Sequence, residues 1–306
     1  MNAVTEASAP AARPTKLLLA CGLGAVMVMW STNYIVAKVA LGYIDVLTFL
    51  AFRFEIAGAV MLAIFFLRKR RTPLQRRHFW LFVWLAMLGI VINQGLFITG
   101  LNFSIPSHSA IIVAFDPILI LVLAHAMGLE SFSAGKFIGM GLAVVGIVLL
   151  ELEQKAPAHS HYLMGDLITL ASAIGFCLYA VLAKRITEEY DAVALNTFNC
   201  VGAAIVFLPV AIHQAVGLPS RHIAWQGWMG MFYTALVSSV AAYLLFYWAL
   251  RHMDASRVAV INYIQPIVVI ILASVFLAET PSQHLLAGTA LVLAGVYFAE
   301  RGARIV

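Results

Sequence analysis

"SIPSHSAIIVAFDPILILVLAHAMGLESFSAGKFIGMGLAVVGIVLLE" (residues 104–151) recurs 149 positions later as "MDASRVAVINYIQPIVVIILASVFLAETPSQHLLAGTALVLAGVYFAE" (residues 253–300). No gap is needed. Thirteen of the 48 aligned positions are identical, including Pro117 with Pro266, Glu130 with Glu279, Gly139 with Gly288 and Gly146 with Gly295. At an offset of 146 the opening parts align as well: Trp30 on Phe176, Ala37-Lys38 on Ala183-Lys184, Asp45 on Asp191, and Phe52 on Phe198. A repeat of this length is a structural unit used twice.

The medium in which that unit folds follows from composition. Of 306 residues, 63% are hydrophobic and only 11% charged, far from the balance of a water-soluble domain. A hydrocarbon core of roughly 30 Å takes about 20 apolar residues per helix. Ten such windows are expected: 17–39, 45–67, 79–101, 105–127, 132–152, 161–184, 191–212, 225–250, 254–277 and 282–300. The runs are too long for strands and lack the alternation of a membrane barrel. The expected fold is therefore an all-α integral membrane protein of ten transmembrane helices. Residues 17–152 form one five-helix repeat and 161–300 the other, joined by an outer linker at 153–160 and flanked by tails at 1–16 and 301–306. An odd number of spans per copy sends the second copy through the bilayer upside down, the architecture of many carriers that alternate access around a midplane site.

Lysine and arginine set the orientation. With the N-terminus inside, fifteen of the 19 fall on the inner side, including the run "RKRR" at 68–71; three (Lys38, Lys155, Arg221) fall outside and Arg53 lies within a span. Both termini are expected in the cytoplasm, in the cell (inner) membrane. The basic loops are read as facing anionic headgroups of the lipid bilayer, not nucleic acid. "LLAC" at 18–21 is no lipoprotein signal, because its apolar run before Cys21 is too short and continues beyond it. Cys21, Cys177 and Cys200 all fall inside predicted helices, which gives no disulfide framework. His159 and His161 with Asp166 are read as a polar linker, not a metal site. No metal, cofactor or catalytic residue is assigned, and no HExxH, GxSxG or P-loop is present.

The stretches "WSTNYIVAK" (30–38), "FLAFRFEIAG" (49–58) and "SHSAIIVAFDPILILVLAHAMGLESFSAGKFIGMGLAVVGIVLL", repeated through "QPIVVIILASVFLAETPSQHLLAGTALVLAGV", resemble the EamA-type repeat of the drug/metabolite transporter superfamily. The resemblance covers nearly the whole chain. It implies an exporter or exchanger of small metabolites, often amino acids and related compounds, that works without ATP.

Ionisable groups inside spans cost a few kcal/mol each and mark function by default. At ~1.5 Å rise per residue, Arg53 lies about 12 Å below the outer surface, Glu55 about 15 Å and Asp116 about 17 Å. Arg53 and Glu55 point in different directions, so the natural partner for Arg53 is Asp116. The carboxylate left over can take up a proton or meet a substrate ammonium. Asp116 or Glu55 is thus the expected coupling site, and Arg53 either contacts a substrate carboxylate or neutralises Asp116; a structural ion pair is the alternative. Where the copies differ, function can break symmetry: Arg53 faces Asn199, Asp116 faces Gln265, Asn33 faces Tyr179, and Gln94 faces Tyr243. Trp30, Tyr34, Asn93 and Asn262 complete the expected wall. Such a cavity suits a small zwitterion or a polar metabolite with an apolar part.

Pro117 and Pro266 each remove a helical N–H. Broken helices at corresponding positions are the best sequence pointer to a carrier site, so both prolines are expected to act as hinges. Trp80, Trp84, Trp225 and Trp228 read as interface anchors. Gly139, Gly141, Gly146 and Gly295 permit close helix approach, a homodimer surface being one use. Glu130 and Glu279 read as helix-start charges. A passive channel, a flippase for a bulkier or lipid-linked substrate and an intramembrane enzyme are the rival functions.

Overall fold

A computed structural model describes residues 14–69, 71–126, 134–151, 160–217, 223–253, 258 and 261–303. The eleven helical runs used below are α1 (Lys16–Leu41), α2 (Val46–Leu67), α3 (Arg76–Phe103), α4 (Pro106–Val113), α5 (Asp116–Ala126), α6 (Ala134–Glu151), α7 (Ser160–Ile186), α8 (Ala192–Gly217), α9 (Trp225–His252), α10 (Ile261–Phe276) and α11 (Gln283–Ala303). Among the described residues there is no strand. Within the described residues six helices are long and apolar enough to cross a membrane, with shorter apolar segments at Pro106–Ile120, Ile138–Leu149, Ile264–Phe276 and Gln283–Phe298. Glu130 and the linker histidine His159 lie outside the described residues, as do the side chains of His161, Asn262 and Pro117.

The pairing of helices shows how the two copies meet. The most extensive contacts join α6 with α11, α2 with α8, and α3 with α7. In the first two pairs, the same element of each copy packs on its counterpart, as a two-fold relation requires. Both pairs run antiparallel. A methyl group on Gly146 would come within 2.7 Å of the Gly288 carbonyl, and one on Gly295 within 2.4 Å of the Gly139 carbonyl. Along α2 and α8, Arg68 meets Asp191 while Gly58, further back, faces Cys200 and Ala204. Counterparts that run antiparallel mean that one copy is inverted relative to the other. The glycines therefore serve contact within the chain, where the sequence left a dimer surface open; Gly141 meets nothing within 4 Å.

Start and stop chemistry repeats with the copies. Asp45 accepts from the Thr48 N–H at 2.9 Å, and Asp191 from the Ala194 N–H at 2.9 Å, opening α2 and α8. Lys38 Nζ donates to the carbonyls of Leu101, Asn102 and Ser104, satisfying the C-terminal end of α3. Lys184 Nζ does the same at the end of α9, to Leu250 at 2.7 Å and Met253 at 2.9 Å. Two expectations need correction. The hinge prolines are not equivalent: the helix breaks at Ala114 and Phe115 just before Pro117, whereas Pro266 sits inside the continuous α10. Glu279 is not the start of α11 either. Ser282 takes that place, its Oγ accepting from the Leu285 N–H, and Glu279 instead accepts from Ser107 Oγ at 2.6 Å.

Candidate functional site

A cavity of about 70 Å³ lies where the two copies meet. From the first copy it is lined by Trp30, Asn33 and Tyr34 of α1, Arg53 of α2, Asn93, Gln94 and Phe97 of α3, Val113 of α4 and Asp116 of α5. From the second come Ala173 and Phe176 of α7, Ser238 and Tyr243 of α9, and Gln265 of α10.

Two wide helical turns set the wall. In α3 the residues Met87–Ile92, and in α9 the residues Thr234–Ala242, form π-helix. Each ends immediately before a wall residue: Asn93 and Gln94 in one copy, Tyr243 in the other. Such widened turns free backbone and side-chain groups for tertiary use. Ser238 Oγ donates to Asn33 Oδ1 at 2.9 Å, and Ser239 Oγ accepts from Arg53 Nε at 2.9 Å while donating to the Thr234 carbonyl at 3.0 Å. The first copy's π turn meets the second copy in return, at a different chemistry. Gly89 lies so close to the Tyr179 ring that a methyl group there would sit 2.2 Å from it.

Arg53 is 1% exposed. Burying a guanidinium is costly unless its N–H groups are satisfied. Yet among the described residues Nη1 has no hydrogen-bond partner, and only Nε is bonded, to Ser239. The expected pairing with Asp116 is not made: among the described residues no carboxylate oxygen lies within ion-pair distance of Arg53. The guanidinium is held instead through Nε, by the Ser239 hydroxyl of α9. Asp116 instead opens α5, 1% exposed, with Cys177 Sγ bonded to its carbonyl at 3.4 Å. The cavity wall thus carries a cation and a carboxylate that form no ion pair with each other.

The remaining wall is amide and aromatic. Asn93 Nδ2 donates to the Ser172 carbonyl and hydroxyl, both at 3.0 Å, and Gln94 Nε2 donates to Asn93 Oδ1 at 2.8 Å. Trp30 packs edge-on to Tyr243, ring centroids 5.4 Å apart, and to Phe176 at 6.2 Å. Tyr34 meets Phe97 at 5.0 Å.

Nine of the thirteen expected wall residues line the cavity; Glu55, Tyr179 and Asn199 do not, and the Asn262 side chain is not described. Glu55 lies about 200° around α2 from Arg53 and is partly exposed. Tyr179 and Asn199 are fully buried beside the cavity, where Asn199 Nδ2 donates to Tyr247 Oη at 2.9 Å. The wall residues that sequence reasoning missed are Phe97, Val113, Ala173, Phe176 and Ser238, with Ser239 behind them. Phe176 was within reach, since the repeat places it on Trp30. The two serines carried no signal, because an extra residue in a helical turn leaves no mark in apolar periodicity.

Comparison with known proteins places this arrangement. The model of the EamA-like transporter family matches residues 17–152 and again 163–300. The chain is 25% identical over 278 residues to the uncharacterized transporter YetK of Bacillus subtilis, covering 90% of this chain and 84% of that one. It is 24% identical to a probable amino-acid metabolite efflux pump of Salmonella typhimurium, over 92% and 94% of the two chains. A crystal structure at 20% identity superposes with a TM-score of 0.69, over 95% of this chain and 100% of the other, and shares the fold.

Proposed function

This chain belongs to the EamA-like transporter family, and on that premise we propose that it is a secondary carrier of small metabolites such as amino acids, an exporter or exchanger. The reading takes ten spans as two inverted five-helix bundles, with both termini in the cytoplasm and the chain in the cell (inner) membrane. Access alternates around the central cavity as the bundles rock about their shared α2–α8 and α6–α11 contacts.

The observation that carries the substrate class is the free Nη1 of the buried Arg53, in a wall that also holds Asp116. A substrate carboxylate bonded to that N–H supplies the charge-assisted partner the guanidinium lacks. Its ammonium falls toward Asp116, and its apolar part toward Trp30, Phe176 and Tyr243. With no ammonium present, Asp116 takes the proton, which gives the carrier a route to proton exchange. The small volume favours a small substrate over a lipid-linked one. The name of the Salmonella relative agrees with this class.

A ligand-stabilisation screen tests it, using the purified chain against amino acids, sugars, amines and nucleosides. A zwitterion at 100 times its dissociation constant adds about 2.7 kcal/mol to apparent stability. The expected result is a rise in melting temperature with amino acids that Arg53→Met removes. Stabilisation by sugars or nucleosides alone, untouched by Arg53→Met, refutes the assignment.

A further inference from the structure

A second buried polar cluster lies away from the central cavity, and the carrier reading leaves it without a role. His108 Nδ1 is 2.8 Å from Asp166 Oδ2, a pair almost fully buried, and Ser104 Oγ donates to the other oxygen of Asp166. One residue before His108, Ser107 donates to Glu279 Oε2 at 2.6 Å. Lys38 Nζ holds the Ser104 carbonyl at 2.5 Å. Few groups thus tie together α1, the α3–α4 junction, α7 and the α10–α11 loop, and the bonds from His108 and Ser107 both cross from the first copy to the second. On α4, His108 stands five residues, about 7.5 Å, beyond Val113 of the cavity wall. A separate cavity of about 260 Å³, lined in part by Ser107, His108, Tyr162 and Glu279, brings the surface up to the cluster.

Glu279 is aimed there by an unusual backbone. Ala278 has φ 53°, the left-handed region where a side chain is disfavoured. The turn ends α10 by returning the Glu279 N–H to the Ala273 carbonyl at 3.3 Å. Glycine would take this conformation without strain.

We propose that the His108–Asp166 and Ser107–Glu279 contacts form a proton-binding latch that holds the outer face of the carrier closed when the external medium is acidic. The proposal rests on the orientation given above, with the α3–α4 junction outside.

The sign follows from the groups that face one another. Burial pushes the Glu279 carboxyl up, an effect partly offset by the Ser107 hydrogen bond and by the positive charges of His108 and Lys38. A group whose proton affinity is raised in the closed form stabilises that form at low pH and loses the contribution as pH rises through its raised value. A charged imidazole at His108 is drawn to two carboxylates, Asp166 across the bond and Glu279 from the loop, against one ammonium, Lys38, which three carbonyls already occupy. Tyr162 of α7 packs edge-on to His108. Glu279 therefore takes up a proton on closing, beside the buried His108–Asp166 pair.

The test places a reporter below the latch. Val113→Cys is introduced, the chain reconstituted in liposomes, and an impermeant methanethiosulfonate added from one side at external pH 5.5 and 8.5. The chain without the reporter gives the background from its three cysteines. Thiol chemistry itself depends on pH, so the rate is divided into that of the same reporter carrying Glu279→Gln or, separately, His108→Gln. Each proton taken up on closing changes the equilibrium by at most tenfold per pH unit. The expected ratio of variant to parent is near one at pH 8.5 and about fivefold or more at pH 5.5, for labelling from outside. A ratio independent of pH in both variants overturns the latch. The same acid protection seen only from the opposite side keeps the latch and overturns the orientation. Should one variant fail to fold, the other gives the same ratio, and the parent reporter measured against a free thiol must still show acid protection or the proposal fails.

Discussion

Replacing Ser239 with alanine removes one oxygen atom, and the structure says what that atom does. Among the described residues it is the only hydrogen-bond partner of a fully buried guanidinium, and it closes a wide turn on the Thr234 carbonyl. A hydrogen bond to a charged group contributes about 1.5–3 kcal/mol and a neutral one about 0.5–1.5. Ser239→Ala should therefore cost about 2–4 kcal/mol. The two parts separate in a double-mutant cycle with Arg53→Met, which keeps much of the side-chain length and deletes the charge. In that background only the Thr234 contact is lost, leaving a coupling of about 2 kcal/mol between Arg53 and Ser239. At roughly 2–4 °C per kcal/mol for chains of this size, the coupling amounts to about 4–8 °C in melting midpoint. The assay is thermal unfolding of the four detergent-purified proteins at one fixed scan rate, since unfolding of membrane proteins is seldom reversible. Equal losses from Ser239→Ala with and without Arg53 refute the reasoning, because the serine would then not be holding the guanidinium.

Asp116→Asn is expected to fold as the parent does and to abolish pH-driven flux in liposomes; an unchanged dependence on the pH gradient removes Asp116 from coupling. Gly295→Ala forces a methyl against the Gly139 carbonyl and the Ala143 N–H at 2.4 and 2.7 Å. It should cost about 1–3 kcal/mol by overpacking, while Gly141→Ala, with open space around it, shifts the melting midpoint by less than a degree or two. Arg68→Gln removes an ion pair with Asp191 whose partners are 37% and 28% exposed. Its cost should stay within about 1 kcal/mol and vanish in high salt, as a denaturation midpoint measured at two ionic strengths will show.

The sequence by itself determined the medium, the two copies and most of the polar wall. Apolar runs of membrane length admit helices, because the bilayer leaves no other way to satisfy the backbone. An ungapped repeat with Glu279 under Glu130 and Gly295 under Gly146 shows duplication without any structure. Charges such as Arg53 and Asp116 stand out because burying them in hydrocarbon is costly. Tertiary structure alone decided what those groups touch. Arg53 and Asp116 looked like partners by depth, but depth along a helix says nothing about angle around it, and Arg53 took Ser239 from the other copy instead. Pro117 and Pro266 looked equivalent because they align, yet the first follows a helix break and the second lies within an unbroken helix. Ser238 and Ser239 were invisible because a π turn shifts the register of a helix face by one residue, which periodicity cannot register. Glu279 was read as a helix-start charge from its neighbours in the chain, whereas the left-handed Ala278 sends it across the copy boundary to Ser107. Covalent order fixes what a residue is and how deep it lies, but its partner is set by helix rotation, which only packing determines.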